Sequence, residues 1–121
     1  MTLDALAVIN KTLSKYNYSF MRYYGDFNKM FWVGEAYKNS GSLEDGSSNS
    51  TLILTGTTVD SWTALLKQAE EIEKLLDGMK TQTPTSAIAV YSNGGKSIPS
   101  DDEKVKRYEL TFTVNEFKKG I

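Results

Sequence analysis

TVDSWTALLKQAEEIEKLLDG, residues 58–78, is the stretch on which the reading of this chain turns. Trp62, Leu65, Ala69, Ile72 and Leu76 recur at alternating spacings of three and four, which places them on one stripe of a 3.6-residue helix. Lys67, Gln68, Glu70, Glu71, Glu73 and Lys74 fall mostly on the other side. Thr58, Asp60 and Ser61 each offer an oxygen to the free N–H groups of a first turn, and Gly78 suits the left-handed residue that closes a helix. The spacing therefore predicts an amphipathic helix over 59–77. Burying Trp62, Leu65, Ile72 and Leu76 is worth on the order of 1.5–3 kcal/mol each, against about 0.2–0.5 kcal/mol for the exposed pair Glu70 and Lys74. Packing, then, decides where the helix lies.

Working outward, the chain supplies strands with a face to offer. Residues 51–57, TLILTGT, lead into the helix, and 86–92, SAIAVYS, follow it after a polar connection at 81–85. Over 104–117 the alternation is the cleanest in the protein: Tyr108, Leu110, Phe112 and Val114 face one way, and Arg107, Glu109, Thr111 and Thr113 the other. Residues 18–24, YSFMRYY, and 30–38, MFWVGEAYK, read as aromatic-rich strands. The second carries large apolar groups on both faces, so one face is expected in the core and the other against a partner. Residues 2–16 read as a further helix, capped by Thr2 and carrying Leu3, Leu6, Ile9 or Asn10, Leu13 and Tyr16 at helical spacing. Its narrow apolar side predicts packing at the sheet rim or on a neighbouring chain. Helices and strands do not alternate as in a parallel sheet. The expectation is one α+β domain over 1–121, mainly antiparallel, with helices on one face.

Two loops stand out. Residues 39–50, NSGSLEDGSSNS, have too little apolar area to offset chain ordering and are expected to be flexible. A second loop is expected over 93–103, opening on the turn signal Asn93-Gly94-Gly95 and ending in Asp101-Asp102-Glu103.

Composition narrows the chemistry. The chain has 121 residues, 14 Lys and Arg against 15 Asp and Glu, and neither cysteine nor histidine. A balanced charge marks no nucleic-acid or membrane-surface binder. Thiol nucleophiles, disulfides, imidazole catalysis and the usual zinc sites are all excluded. No run approaches a membrane span and no secretion signal opens the chain, so a soluble protein made in a cytoplasm is expected. The acidic clusters lack calcium-loop spacing, and Gly94-Gly95-Lys96-Ser97 lacks the spacing of a phosphate loop. No catalytic, metal or cofactor residue is assigned, and an enzyme is not expected. The lysines and Arg107 near 104–119 suit a blocked sheet edge better than phosphate contacts. Aromatics around 16–32 exceed what a small core needs, and aromatics are favoured at interfaces. Tyr24, Phe31, Trp32, Val33 and Tyr37 are the candidate subunit interface.

FWVGE at 31–35, the Gly/Ser/acid loop, LILTGTT at 52–58, the helix over 64–76, AIAVYS at 87–92, Ile98-Pro99 and KRYEL at 106–110 occur here in one order. In these features the chain, over residues 20–117, resembles the tail terminator or tail completion proteins of long-tailed bacteriophages and Gram-positive prophages. The resemblance implies an α+β sheet flanked by helices and a homo-oligomeric ring, usually a hexamer. That ring would end the tail tube and join the tail to the head connector or head completion protein. It implies a place at the tail–head junction of a virion, assembled in the host bacterial cytoplasm, with DNA passing the lumen unbound. By position, Leu43, Glu44 and Asp45, and Asp101, Asp102 and Glu103, are candidate contacts with tube or connector. Another neck or tube component, or a small ligand-binding α+β domain, remains the alternative.

Overall fold

A computed structural model describes residues 1–22, 29–39 and 47–119. The expected α+β class holds. Helix α1 spans Leu3–Thr12, β1 Tyr18–Phe20, β2 Phe31–Lys38 and β3 Ser47–Thr58. Helix α2 spans Trp62–Leu76, followed by β4 Lys80–Gln82, β5 Ser86–Ile98 and β6 Lys106–Lys118. The strands form one six-stranded sheet in the order β1-β2-β3-β6-β5-β4. Every pairing is antiparallel except β1 with β2. Among the described residues no helix is long and apolar enough to cross a membrane.

The cleanly alternating strand, β6, is central, zipped to β3 on one side and β5 on the other. Its Leu110, Phe112 and Val114 are buried with Leu52 and Leu54 of β3 and Ile88 and Val90 of β5. Onto this face α2 lays Leu65, Ala69, Ile72 and Leu76, all buried, and α1 adds Ala5, Ile9 and Leu13 to the same cluster. The first helix therefore belongs to its own chain's core. Of its expected stripe Ile9, Leu13 and Tyr16 are buried, Leu3 is exposed, and Ala5 joins the buried side.

Both helices are capped by the side chains their sequences offer. Thr2 Oγ1 accepts from Ala5 N, and Ser61 Oγ accepts from Ala64 N at 3.1 Å. Gly78 takes a positive φ of 79°, where a Cβ is disfavoured, and its N–H donates to Val90 O. Glu70 and Lys74 pair at 3.6 Å but are largely exposed, so their contribution is small.

Several expectations are corrected. Trp62, expected on the buried stripe, is 40% exposed. The four buried positions average roughly 50° away from it around the helix at 100° per residue, so the first-turn indole rides on the stripe's margin. Residues 47–50 are not loop: they extend β3, because β6 continues far enough to pair Ser47 with Phe117 and Ser50 with Val114. Nor do Asn93-Gly94-Gly95 make a turn. Gly94 has φ 99° and the register shifts between Ser92 and Gly95, so the segment is a bulge inside β5 and the loop covers only 99–105. The polar connection at 81–85 contains most of β4, held by backbone pairing with Ala87–Ala89. Strand β1 stops at Phe20, where Met21 turns left-handed with φ 57°. Lys106, Arg107 and Lys118 lie on the central strand, so they do not block an edge.

Candidate assembly surfaces

Both helices cover one side of the sheet, and the other side is bare of them. Its side chains follow from the register. One row across four strands reads Tyr37, Thr51, Thr113, Tyr91, and the next reads Glu35, Ile53, Thr111. The threonines and Ile53 are half-buried, while Tyr37 and Tyr91 are exposed. β-Branched residues suit a pleated surface, and the short hydroxyls keep this one wettable. At the β4 end the bare face dips into a cup. Ala87 and Ala89 are its floor, Tyr91 and Phe117 its walls, and Lys80 and Gln82 its rim. Lys119 Nζ donates to Gln82 Oε1 at 2.7 Å, which holds a second cation beside that rim.

A second open surface lies on the helix side. Trp62 and Leu66 are exposed along one flank of α2, above a groove floored by Tyr108 and Leu110 and edged by Glu70 and Glu73. Glu73 Oε2 accepts from Ser92 Oγ and Asp77 Oδ1 accepts from Ser92 N, both at 2.8 Å, so β5 fixes the position of these carboxylates. A Cβ on Gly95 would come within 2.8 Å of the Tyr108 ring, so the ring lies against the bare backbone of the bulge. The groove's depth at that end depends on this glycine.

The sequence-predicted surface residues divide. Phe31, Trp32 and Val33 are covered within the chain, at 3%, 0% and 2% exposure. Trp32 is a core residue whose indole N–H donates to Gln68 Oε1 at 2.7 Å, with its ring over Gly56. Among the described members of that set only Tyr37 presents area to solvent. Asp101, Asp102 and Glu103 are exposed in the 99–105 loop, where Asp102 Oδ1 accepts from Lys104 N and Asp102 O from Val105 N. Tyr24, Leu43, Glu44 and Asp45 lie outside the described residues. The cup and the groove went unpredicted. Each joins residues from separate stretches, and no local pattern in the sequence points to them.

Among the described residues no three carboxylates are grouped to hold a metal ion. Burial pushes the pKa of the Tyr18 hydroxyl up to about 12. Its hydroxyl lies against Gly34 and has no hydrogen-bond partner among the described residues.

No protein-family model matches the chain, and no curated protein sequence matches it. The fold, however, is shared. A chain in the solved structure described as the virion of a native gene transfer agent (GTA) particle superposes with a TM-score of 0.69. The match covers 94% of this chain and 87% of that one at 13% sequence identity, a likeness of fold.

Proposed function

We propose that this chain is a structural component of a phage-like virion. In its finer form the reading is a homo-oligomeric ring that ends the tail tube and joins the tail to the head connector or head completion protein. The observation that carries it is the fold shared with a gene transfer agent virion chain over nearly the whole length of both. Support comes from the surface: the cup and the α2 flank, with its exposed Trp62 and Leu66, lie on opposite sides of the sheet. A head-to-tail ring needs two unlike surfaces on each subunit, and closing the ring covers both. Function lies in these contacts rather than in catalysis. The exposed acids of the 99–105 loop suit contact with tube or connector, or a lumen wall past which DNA slides unbound.

The test is assembly. Light scattering and negative-stain imaging, on the protein alone and with purified tube and connector proteins, should show closed rings. A chain that stays monomeric under all three conditions refutes the reading. Spontaneous growth into long cylinders would instead identify a tube subunit.

A further inference from the structure

We propose that neighbouring copies of this chain join by seating the open flank of α2 of one copy in the aromatic cup on the bare sheet face of the next. This rests on the ring reading above and names the contact that would build it. The flank projects Trp62 and Leu66, at 40% and 43% exposure, beside Glu70, Glu73 and Asp77. Among the described residues Lys74 pairs with Glu70 at 3.6 Å, while Glu73 and Asp77 accept from the uncharged Ser92 and keep their negative charge unbalanced. The flank is thus apolar with a negative margin. The cup is apolar with a positive margin: Tyr91 and Phe117 stand over an alanine floor, Lys80 and Lys119 border it, and among the described residues no carboxylate lines it.

Shape and charge agree. Small alanines between two aromatic walls leave room for a protruding indole or leucine, and aromatic anchors in such hollows dominate interface energetics. The groove beside Leu66 offers the reciprocal seat. A lysine stem can lie over Tyr108 and Leu110 with its ammonium between Glu70 and Glu73. Lys80 is the rim cation placed to enter it. Because the two surfaces lie on opposite sides of one sheet, one pair of copies cannot make the flank-to-cup contact twice over, as an isologous pair built from it would require. The contact is heterologous and repeats around a ring.

Two half-blocked chains test this. Leu66→Asp spoils the flank and leaves the cup; Ala89→Arg fills the cup and leaves the flank. Under conditions where the wild type forms rings, each variant alone should sediment as a monomer. An equimolar mixture should give a heterodimer that grows no further. Unchanged melting temperatures establish that both variants fold. As a second measurement, Glu70→Lys and Lys80→Glu should each weaken assembly at least tenfold, and the double reversal should restore it. Rings from either blocked variant, a mixture that stays monomeric up to the solubility limit, or a double reversal no better than the single ones would overturn this contact. In those outcomes the wild-type rings remain and the ring reading stands. A wild type that forms no ring, alone or with tube and connector, removes both.

Discussion

Replacing Gly56 by alanine is expected to destabilise the protein by about 1–3 kcal/mol, although glycine in a strand interior is ordinarily the weaker choice. A Cβ at this position would stand 2.7–2.8 Å from three atoms of the Trp32 ring, closer than carbon atoms can approach. That ring is fully buried and its N–H is held by Gln68 at 2.7 Å, so it can retreat only by disturbing the core or breaking the bond. Overpacking of this kind costs about 1–3 kcal/mol, and a lost hydrogen bond adds about 0.5–1.5 kcal/mol. The stiffer unfolded chain returns about 0.4–1 kcal/mol. For a domain of 121 residues each kcal/mol moves the midpoint by about 4 °C, so Tm should fall by about 4–12 °C. Thermal circular dichroism, backed by urea titration, measures it. In a Trp32→Leu background the same substitution should cost far less, since the colliding ring atoms are gone, and the two changes should be strongly non-additive. A Gly56→Ala protein that melts with or above the wild type, or equal costs in both backgrounds, would refute the account.

Glu116 is buried on β6 and accepts from both the N–H and the hydroxyl of Thr2, the α1 cap. Glu116→Ala should cost about 1–3 kcal/mol in urea titration and speed hydrogen exchange in α1 before the rest of the chain. Tyr18→Phe should leave stability at pH 7 unchanged or raised, because the lost hydroxyl has no partner among the described residues. The raised Tyr18 pKa has a definite sign. The folded state holds the phenol proton more tightly, so this contribution is complete below about pH 10 and is lost as pH rises toward about 12. In Tyr18→Phe that part of the alkaline decline should vanish from the stability profile. Gly78→Ala should cost about 1 kcal/mol through its positive φ alone, since nothing lies within 4 Å of the added methyl; denaturant midpoints would show it.

The helix and the central strand were legible because each writes its period in apolar residues. Leu65, Ala69, Ile72 and Leu76 give one, and Leu110, Phe112 and Val114 the other. What escaped had no such period. Lys80–Gln82 is a strand only because Ala87–Ala89 offers it backbone partners, and Ser47–Ser50 is one because β6 reaches that far. Asn93-Gly94 carries the same positive-φ signal in a hairpin turn as in a bulge, and only the continuing partner strand decides between them. Trp62 shows the limit of the helical pattern, which locates a stripe but not its centre. On β2 the excess of apolar residues was visible, yet alternation does not say which of them solvent reaches: Phe31 and Val33 are buried and Tyr37 is exposed. The cup is built by register between β4, β5 and β6, so composition could not reveal it.

The position of β6 between β3 and β5 has a consequence for synthesis. Its pairs with β3 join residues 48 to 70 positions apart, from Thr58 with Lys106 to Ser47 with Phe117. At about 5–20 residues per second, a ribosome leaves β3 without that neighbour for roughly 2–14 s. During this interval Leu52, Ile53 and Leu54 form an unpaired, β-prone ribbon on the nascent chain, vulnerable to other polysomal copies. Messages stalled ahead of residue 106 should therefore yield insoluble fragments, and faster decoding of the 59–106 stretch should improve recovery.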